Sequence, residues 1–118
     1  MKTLLLVLPL ALSLAACAPK SLYQWGGYED MLYRGYKEPE KMDVMRKNLE
    51  AHIQKLQQSG QKVPPGMNSE LATLYLQTGD KAKARNYYSA EKDAWPESHV
   101  LMNALITNLD RTNKGTQQ

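Results

Sequence analysis

The sequence predicts an all-α protein, and three observations carry that prediction. Apolar residues recur at spacings of three and four along most of the chain, most clearly at Met42, Met45, Leu49, Ile53 and Leu56. Glycine and proline fall at helix-length intervals, at Gly26-Gly27, Pro39, Gly60, Pro64-Pro65-Gly66, Gly79 and Pro96. No segment alternates apolar and polar residues with period two, so no strand is expected. At 118 residues the chain suits one small domain with a modest core. The expected architecture is a helical hairpin with flanking helices over residues 23–110, followed by a polar, disordered tail at 111–118.

Residues 1–16 are expected to be removed from the mature chain. Met1-Lys2-Thr3 gives a short positive start, Leu4 to Leu14 is apolar apart from Pro9 and Ser13, and small Ala15-Ala16 follow. This is the layout of a secretory signal, too short for a membrane span of ~20 apolar residues. The run Leu14-Ala15-Ala16-Cys17 resembles a bacterial lipobox, in which the cysteine is acylated and becomes the first mature residue. Cys17 is the one cysteine of the chain, so no disulfide framework and no multi-cysteine metal site is available. Buried methylenes contribute about 0.8 kcal/mol each and stable anchoring needs more than one acyl chain, which a lipobox cysteine acquires. Residues 17–22 then form the lipidated cysteine and a short tether. In the lipoproteins that this segment resembles, Asp after the cysteine favours inner-membrane retention. Ala18 therefore implies the outer membrane, and the chain is expected to be lipid-anchored there, on the periplasmic face.

Each helix has a local reason. Gly26-Gly27 makes a turn, and the stretch from Tyr28 to Lys37 sets Tyr28, Leu32 and Tyr36 on one side. Pro39 closes this helix and opens the next, because proline suits a first helical turn. Glu40 to Gln58 is the clearest amphipathic helix, stopped near Gly60. Val63 to Gly66 forms a stiff connector. Asn68 or Ser69 is expected to cap a third helix reaching about Thr78, with Leu71, Leu74 and Tyr75 inward. Gly79 turns the chain, Asp80 caps a fourth helix through Ala84, Tyr87, Tyr88 and Ala94, and Pro96 ends it. A last helix from about Glu97 to Asp110 carries Leu101, Met102, Leu105, Ile106 and Leu109.

Residues 65–98 resemble one tetratricopeptide repeat, a 34-residue helix–turn–helix with small and large side chains at fixed places. Leu71 and Ala72 take the leucine and small positions, Tyr75 the large aromatic, Gly79 the turn, Ala84 the small contact of the second helix, Tyr88 its aromatic, and Pro96 the terminal proline. Asn68 stands where a tryptophan is usual, Lys81 for an aromatic, and Glu91 for a small residue. In such repeats the first helix commonly binds peptides, which makes Ser69, Thr73, Leu76 and Gln77 candidate contacts on an exposed face. One repeat cannot bury its own apolar face, so the Glu40–Gln58 helix and the aromatic stretch are expected to cover it.

The mature chain also resembles a small bacterial lipoprotein family of unknown function. Its hallmark is an aromatic–Trp–Gly–x–Tyr segment soon after the lipidated cysteine, here Tyr23-Gln24-Trp25-Gly26-Gly27-Tyr28. Members look to be encoded beside a lipoprotein similar to the curli-secretion channel, which implies an envelope assembly partner.

Little in the chain points to catalysis. Cys17 is consumed by the anchor, the serines lack a nucleophile-elbow context, and only His52 and His99 could act as imidazole bases. His52 borders an apolar stripe and reads as packed; His99 reads as surface. No metal-ligand spacing is present, and Gly26-Gly27 lacks a phosphate-loop pattern. Net charge is +3 with pI near 9.0, spread along the chain rather than concentrated, which argues against nucleic acid. Five aromatics lie within the 14 residues Tyr23–Tyr36. They can serve as a cap on the hairpin, as a partner-binding patch through Trp25, Tyr28 and Tyr33, or as a membrane-interface anchor. The cap reading places Trp25 in the core, with Trp95 a bystander at a helix end.

The expected function is a non-enzymatic, lipid-anchored adaptor or accessory subunit in a bacterial cell-envelope assembly or secretion complex, with no cofactor beyond the covalent lipid. The alternative is a peptidoglycan- or glycan-binding envelope lipoprotein using the aromatics and basic residues. Cys17→Ser is expected to abolish acylation and leave an unprocessed or soluble precursor. Metabolic labelling with a clickable palmitate analogue checks this, and equal labelling of both chains would refute it.

Overall fold

The computed structural model describes residues 21–115. The expected signal segment, Cys17 and residues 18–20, and positions 116–118, lie outside the described residues. The described chain is all-α: α1 (Tyr28–Lys37), α2 (Met42–Gln58), α3 (Met67–Gln77), α4 (Lys81–Ala94) and α5 (His99–Gly115). Short 3-10 turns at Pro39–Lys41 and Pro96–Ser98 lead into α2 and α5, so each of these α-helices begins slightly later than its sequence pattern predicts. Each helix packs against its neighbour in the chain, and the α3–α4 hairpin is the most extensive pairing.

One continuous core runs through the array. The α2 stripe of Met45, Leu49, Ile53 and Leu56 is fully buried, and it meets Met67, Leu71, Leu74 and Tyr75 of α3. Ala84 and Tyr88 continue it into α4, and Met102, Ile106 and Leu109 complete it from α5. Burying side chains of this size contributes roughly 1.5–3 kcal/mol each. Helix α1 lies on the edge, with Tyr28, Met31 and Leu32 only partly buried against the core. It approaches α2 closely at Gly35, the one fully buried residue of α1, where any Cβ would run into the Met45 sulfur.

Two caps differ in origin. Asp80 caps α4 as its sequence position predicts, its Oδ1 accepting from the Lys83 N–H at 3.0 Å. Neither Asn68 nor Ser69 caps α3. The helix begins two or three residues earlier, with Gly66 at the cap, and Asn68 is buried within its first turn. At the other end of the domain, α5 continues to Gly115, so residues 111–115 are helical rather than part of a disordered tail.

The hairpin has the close approach that small residues allow. Ala72 and Ala84 are both fully excluded from solvent, with Tyr75 and Tyr88 filling the volume beside them. Ala84→Leu is expected to overpack this contact and cost about 1–3 kcal/mol, whereas Ala82, which is exposed, should tolerate leucine to within about 0.5 kcal/mol. Urea midpoints of the two variants check this, and equal midpoints would contradict it.

Candidate functional site

Two polar clusters and one aromatic segment gather the side chains with chemical potential. The first cluster sits where α2, α3 and α4 converge. Glu50 of α2 accepts from the Tyr75 hydroxyl at 2.5 Å and the Tyr87 hydroxyl at 2.8 Å. The two rings stack with centroids 5.8 Å apart and planes 1° from parallel. Lys83 donates to the Tyr75 oxygen at 3.1 Å and lies over its ring, while the Arg46 guanidinium covers that ring at 4.9 Å. Arg46 also reaches Thr78 Oγ1 at 3.1 Å and pairs with Asp43. Burial alone would raise the Glu50 carboxyl, but the two tyrosine hydroxyls and the cations Lys83 and Arg46 outweigh it and hold the group below its ordinary value. Burial and the bond to Glu50 push the Tyr87 hydroxyl well up, so it stays a donor. The cluster is a charged clasp across three helices, in which the buried Arg46 Nε lacks a hydrogen-bond partner.

The second cluster resolves the missing cap of α3. Glu91, near the end of α4 and only 2% exposed, accepts from the Gly66 N–H at 2.6 Å. The backbone N–H groups of Ser69 and Asn68 also favour its ionised form. A carboxylate at a helix N-terminus satisfies orphan donors and matches the positive end of the dipole. Burial pushes the Glu91 carboxyl above its ordinary value, against the pull of those N–H groups, and Glu97 adds to the rise. Glu91 Oε2 and Asn68 Oδ1 are both buried without a hydrogen-bond partner. The two departures from the repeat pattern at positions 68 and 91 thus meet at one place.

The aromatic segment is arranged differently from the core-cap expectation. Trp25 is 36% exposed and Tyr33 64%, and Tyr28 is half-buried. The buried indole belongs instead to Trp95, whose Nε1 donates to the Val63 carbonyl at 3.1 Å and whose ring carries Lys62 Nζ at 3.6 Å. Trp95 is held because the turn after α4 folds back over the 63–66 connector. Tyr23 bridges the two indoles edge-on, with centroids 5.7 Å from Trp95 and 6.3 Å from Trp25. His52 secures the same segment, its Nε2 lying 2.8 Å from the Gln24 carbonyl. Gly26 passes so close to that imidazole that a Cβ would collide with it. Trp25 is therefore an exposed ring on a fixed segment.

The remaining candidate positions separate. The scaffold set Leu71, Ala72, Tyr75, Ala84 and Tyr88 is brought together in the hairpin, with Gly79 in the turn at φ 82° and Pro96 opening the 3-10 turn after α4. The candidate face of α3 is only partly exposed. Ser69 donates to the Gly66 carbonyl at 3.1 Å, Thr73 donates to the Ser69 carbonyl at 3.0 Å and meets the Tyr88 hydroxyl at 2.9 Å, and Leu76 packs against the core. Gln77 alone of these four is exposed. Cys17 lies outside the described residues. His99 is exposed and 3.0 Å from Asn103. Among the described residues no three metal-ligating side chains gather, and no helix is long and apolar enough to cross a membrane. A groove of about 310 Å³ runs along the contact between α1 and α2, its lining including Met31, Gly35 and Met45.

Residues 22–105 match a family described as a domain of unknown function, DUF4810. The chain belongs to that family. No curated protein and no solved structure matches it. The DUF4810 region takes in every cluster described above, from Tyr23 to Glu91 and Trp95.

Sequence reasoning gave Glu50, Glu91 and Trp95 no part in a site. Glu91 carried a usable signal, a carboxylate at a position whose helical spacing from Ala84 and Tyr88 faces inward. Because the folded state raises the Glu91 pKa, it binds that proton more tightly than the unfolded chain does. The contribution of Glu91 therefore falls as pH rises from about the ordinary carboxylate value, 4.5, through the raised folded value. The stability difference between wild type and Glu91→Gln is expected to shrink or reverse over that window. Glu91→Ala leaves the Gly66 N–H unpaired and costs about 1–3 kcal/mol. Denaturant melts of the three chains between pH 4 and 8 test both statements, and parallel pH profiles for wild type and Glu91→Gln would refute the first.

Proposed function

We propose that this DUF4810 protein is a non-enzymatic, lipid-anchored adaptor of the bacterial cell envelope. In this reading Cys17 carries the lipid, the outer membrane holds the chain on its periplasmic face, and the helical domain joins other envelope lipoproteins. A lipoprotein similar to the curli-secretion channel is the first partner to seek. The observation that carries the reading is the exposed Trp25 on a segment pinned by Tyr23 and His52, a few residues from the expected anchor. Rigid, exposed tryptophans are the side chains that most often dominate protein interfaces, because a large apolar area is offered at little entropic cost. The paired small residues Ala72 and Ala84 support a tetratricopeptide-like hairpin as the scaffold, though the face of α3 that usually takes peptides is only partly exposed.

Co-purification from detergent-solubilised envelopes tests this. Trp25→Ala is expected to keep its melting midpoint, shifting stability by no more than about 0.5 kcal/mol, while losing bound envelope proteins. Trp95→Ala should instead cost about 3–5 kcal/mol. Retention of the same partners by Trp25→Ala, or no envelope protein bound to wild type, would overturn the proposal.

A further inference from the structure

The outer face of α5 is unlike the rest of the surface. Between Glu97 and Asp110 there is no Asp, Glu, Lys or Arg. Met102, Ile106 and Leu109 point into the core, and the opposite side presents Val100, Leu101 and Ala104, followed by Thr107 and Asn108, all exposed. Val100 is 84% exposed and Leu101 60%. A helix that ends a stacked array needs a polar outer face; this one has an uncharged stripe about three turns long.

The charges that flank the stripe are arranged about its centre. Glu97, in the 3-10 turn that leads into α5, precedes Ala104 by seven residues, and Arg111, two turns further along the helix, follows it by seven. Both are exposed, and neither makes an ion pair among the described residues. Asp110 is already committed to Arg85 at 3.1 Å. A second copy laid antiparallel across this face, with a two-fold axis at Ala104, sets Glu97 of each copy against Arg111 of the other. Val100 and Leu101 then pack beside Asn108 and Thr107 of the other copy, Ala104 meets Ala104, and the small residue at the crossing lets the helices approach. A parallel arrangement would oppose like charges. We propose that α5 is a homodimerisation surface, with a second copy of this chain packed antiparallel about Ala104. The patch is a single helix face, whereas stable interfaces bury roughly 1,200 Å² or more, so the dimer is proposed as a reversible one.

Oxidative cross-linking of the full chain in its membrane tests this, counting only bands absent from wild type. Ala104→Cys is expected to give a disulfide dimer of twice the chain mass. Asn108→Cys should not, because an antiparallel pair separates the two 108 positions by about 12 Å at 1.5 Å per residue, beyond the ~7 Å limit between bridged Cα atoms. Combining Val100→Cys with Asn108→Cys should restore the dimer. Adding Arg111→Glu to Ala104→Cys should diminish the cross-link, and adding Glu97→Arg as well should recover it. The proposal is overturned by the absence of an Ala104→Cys dimer, by equal dimers from Ala104→Cys and Asn108→Cys, by an adduct of another mass, or by failure of the double charge exchange to rescue.

Discussion

The structure turns on a carboxylate that one helix lends to another. Helix α3 is capped at Gly66 with no side chain of its own to do it, and the Gly66 N–H is satisfied by Glu91 from the last turn of α4. Because α3 and α4 are partners in the hairpin, the bond closes the open end of the pair opposite the Gly79 turn. It also fixes the connector that brings the chain from α2 to α3. Trp95, one turn further on, grips the same connector through the Val63 carbonyl. The end of α4 therefore holds in place the only covalent route by which α2 reaches the hairpin, and the register of the core between α2 and α3 depends on it.

The opposite end of the hairpin is secured by a different chemistry. Glu50 gathers two stacked tyrosines and a lysine across three helices, leaving its carboxylate partly in contact with water. There the charge is stabilised by donors and cations and stays ionised; at Glu91, depth costs the charge more than the backbone donors return. Two glutamates of identical chemistry thus perform two tasks, one as a hub of side chains and one as a helix cap.

These restraints leave the N-terminal segment exposed but not loose. Tyr23 rests on Trp95, His52 holds the Gln24 carbonyl, and Gly26 fits against the imidazole. The aromatic segment is thereby tied to the same α4 end that caps α3. A partner engaging Trp25 would pull on elements that are already part of the core, which suits a rigid coupling between an anchor and an assembly. The groove beside α1 and the outer face of α5 lie on other parts of the array.

The sequence by itself determined the fold class, the number of helices and most of their ends. Each depends on neighbours within a turn or two: the Met45–Leu49–Ile53–Leu56 stripe, the Asp80 cap and the Gly79 turn are local facts. It also marked Ala72 and Ala84, since small residues at hairpin spacing announce a close approach. The tertiary structure decided what depends on distant partners. Which tryptophan is buried could not be read locally, because Trp95 is covered by a connector thirty residues earlier and Trp25 by little beyond its neighbours. The cap of α3 was equally hidden, since Asn68 and Ser69 are good capping residues and the actual acceptor comes from another helix. The extension of α5 through Arg111–Gly115 has the same origin: a polar segment with no apolar stripe of its own remains helical as the continuation of a helix that packing has already formed.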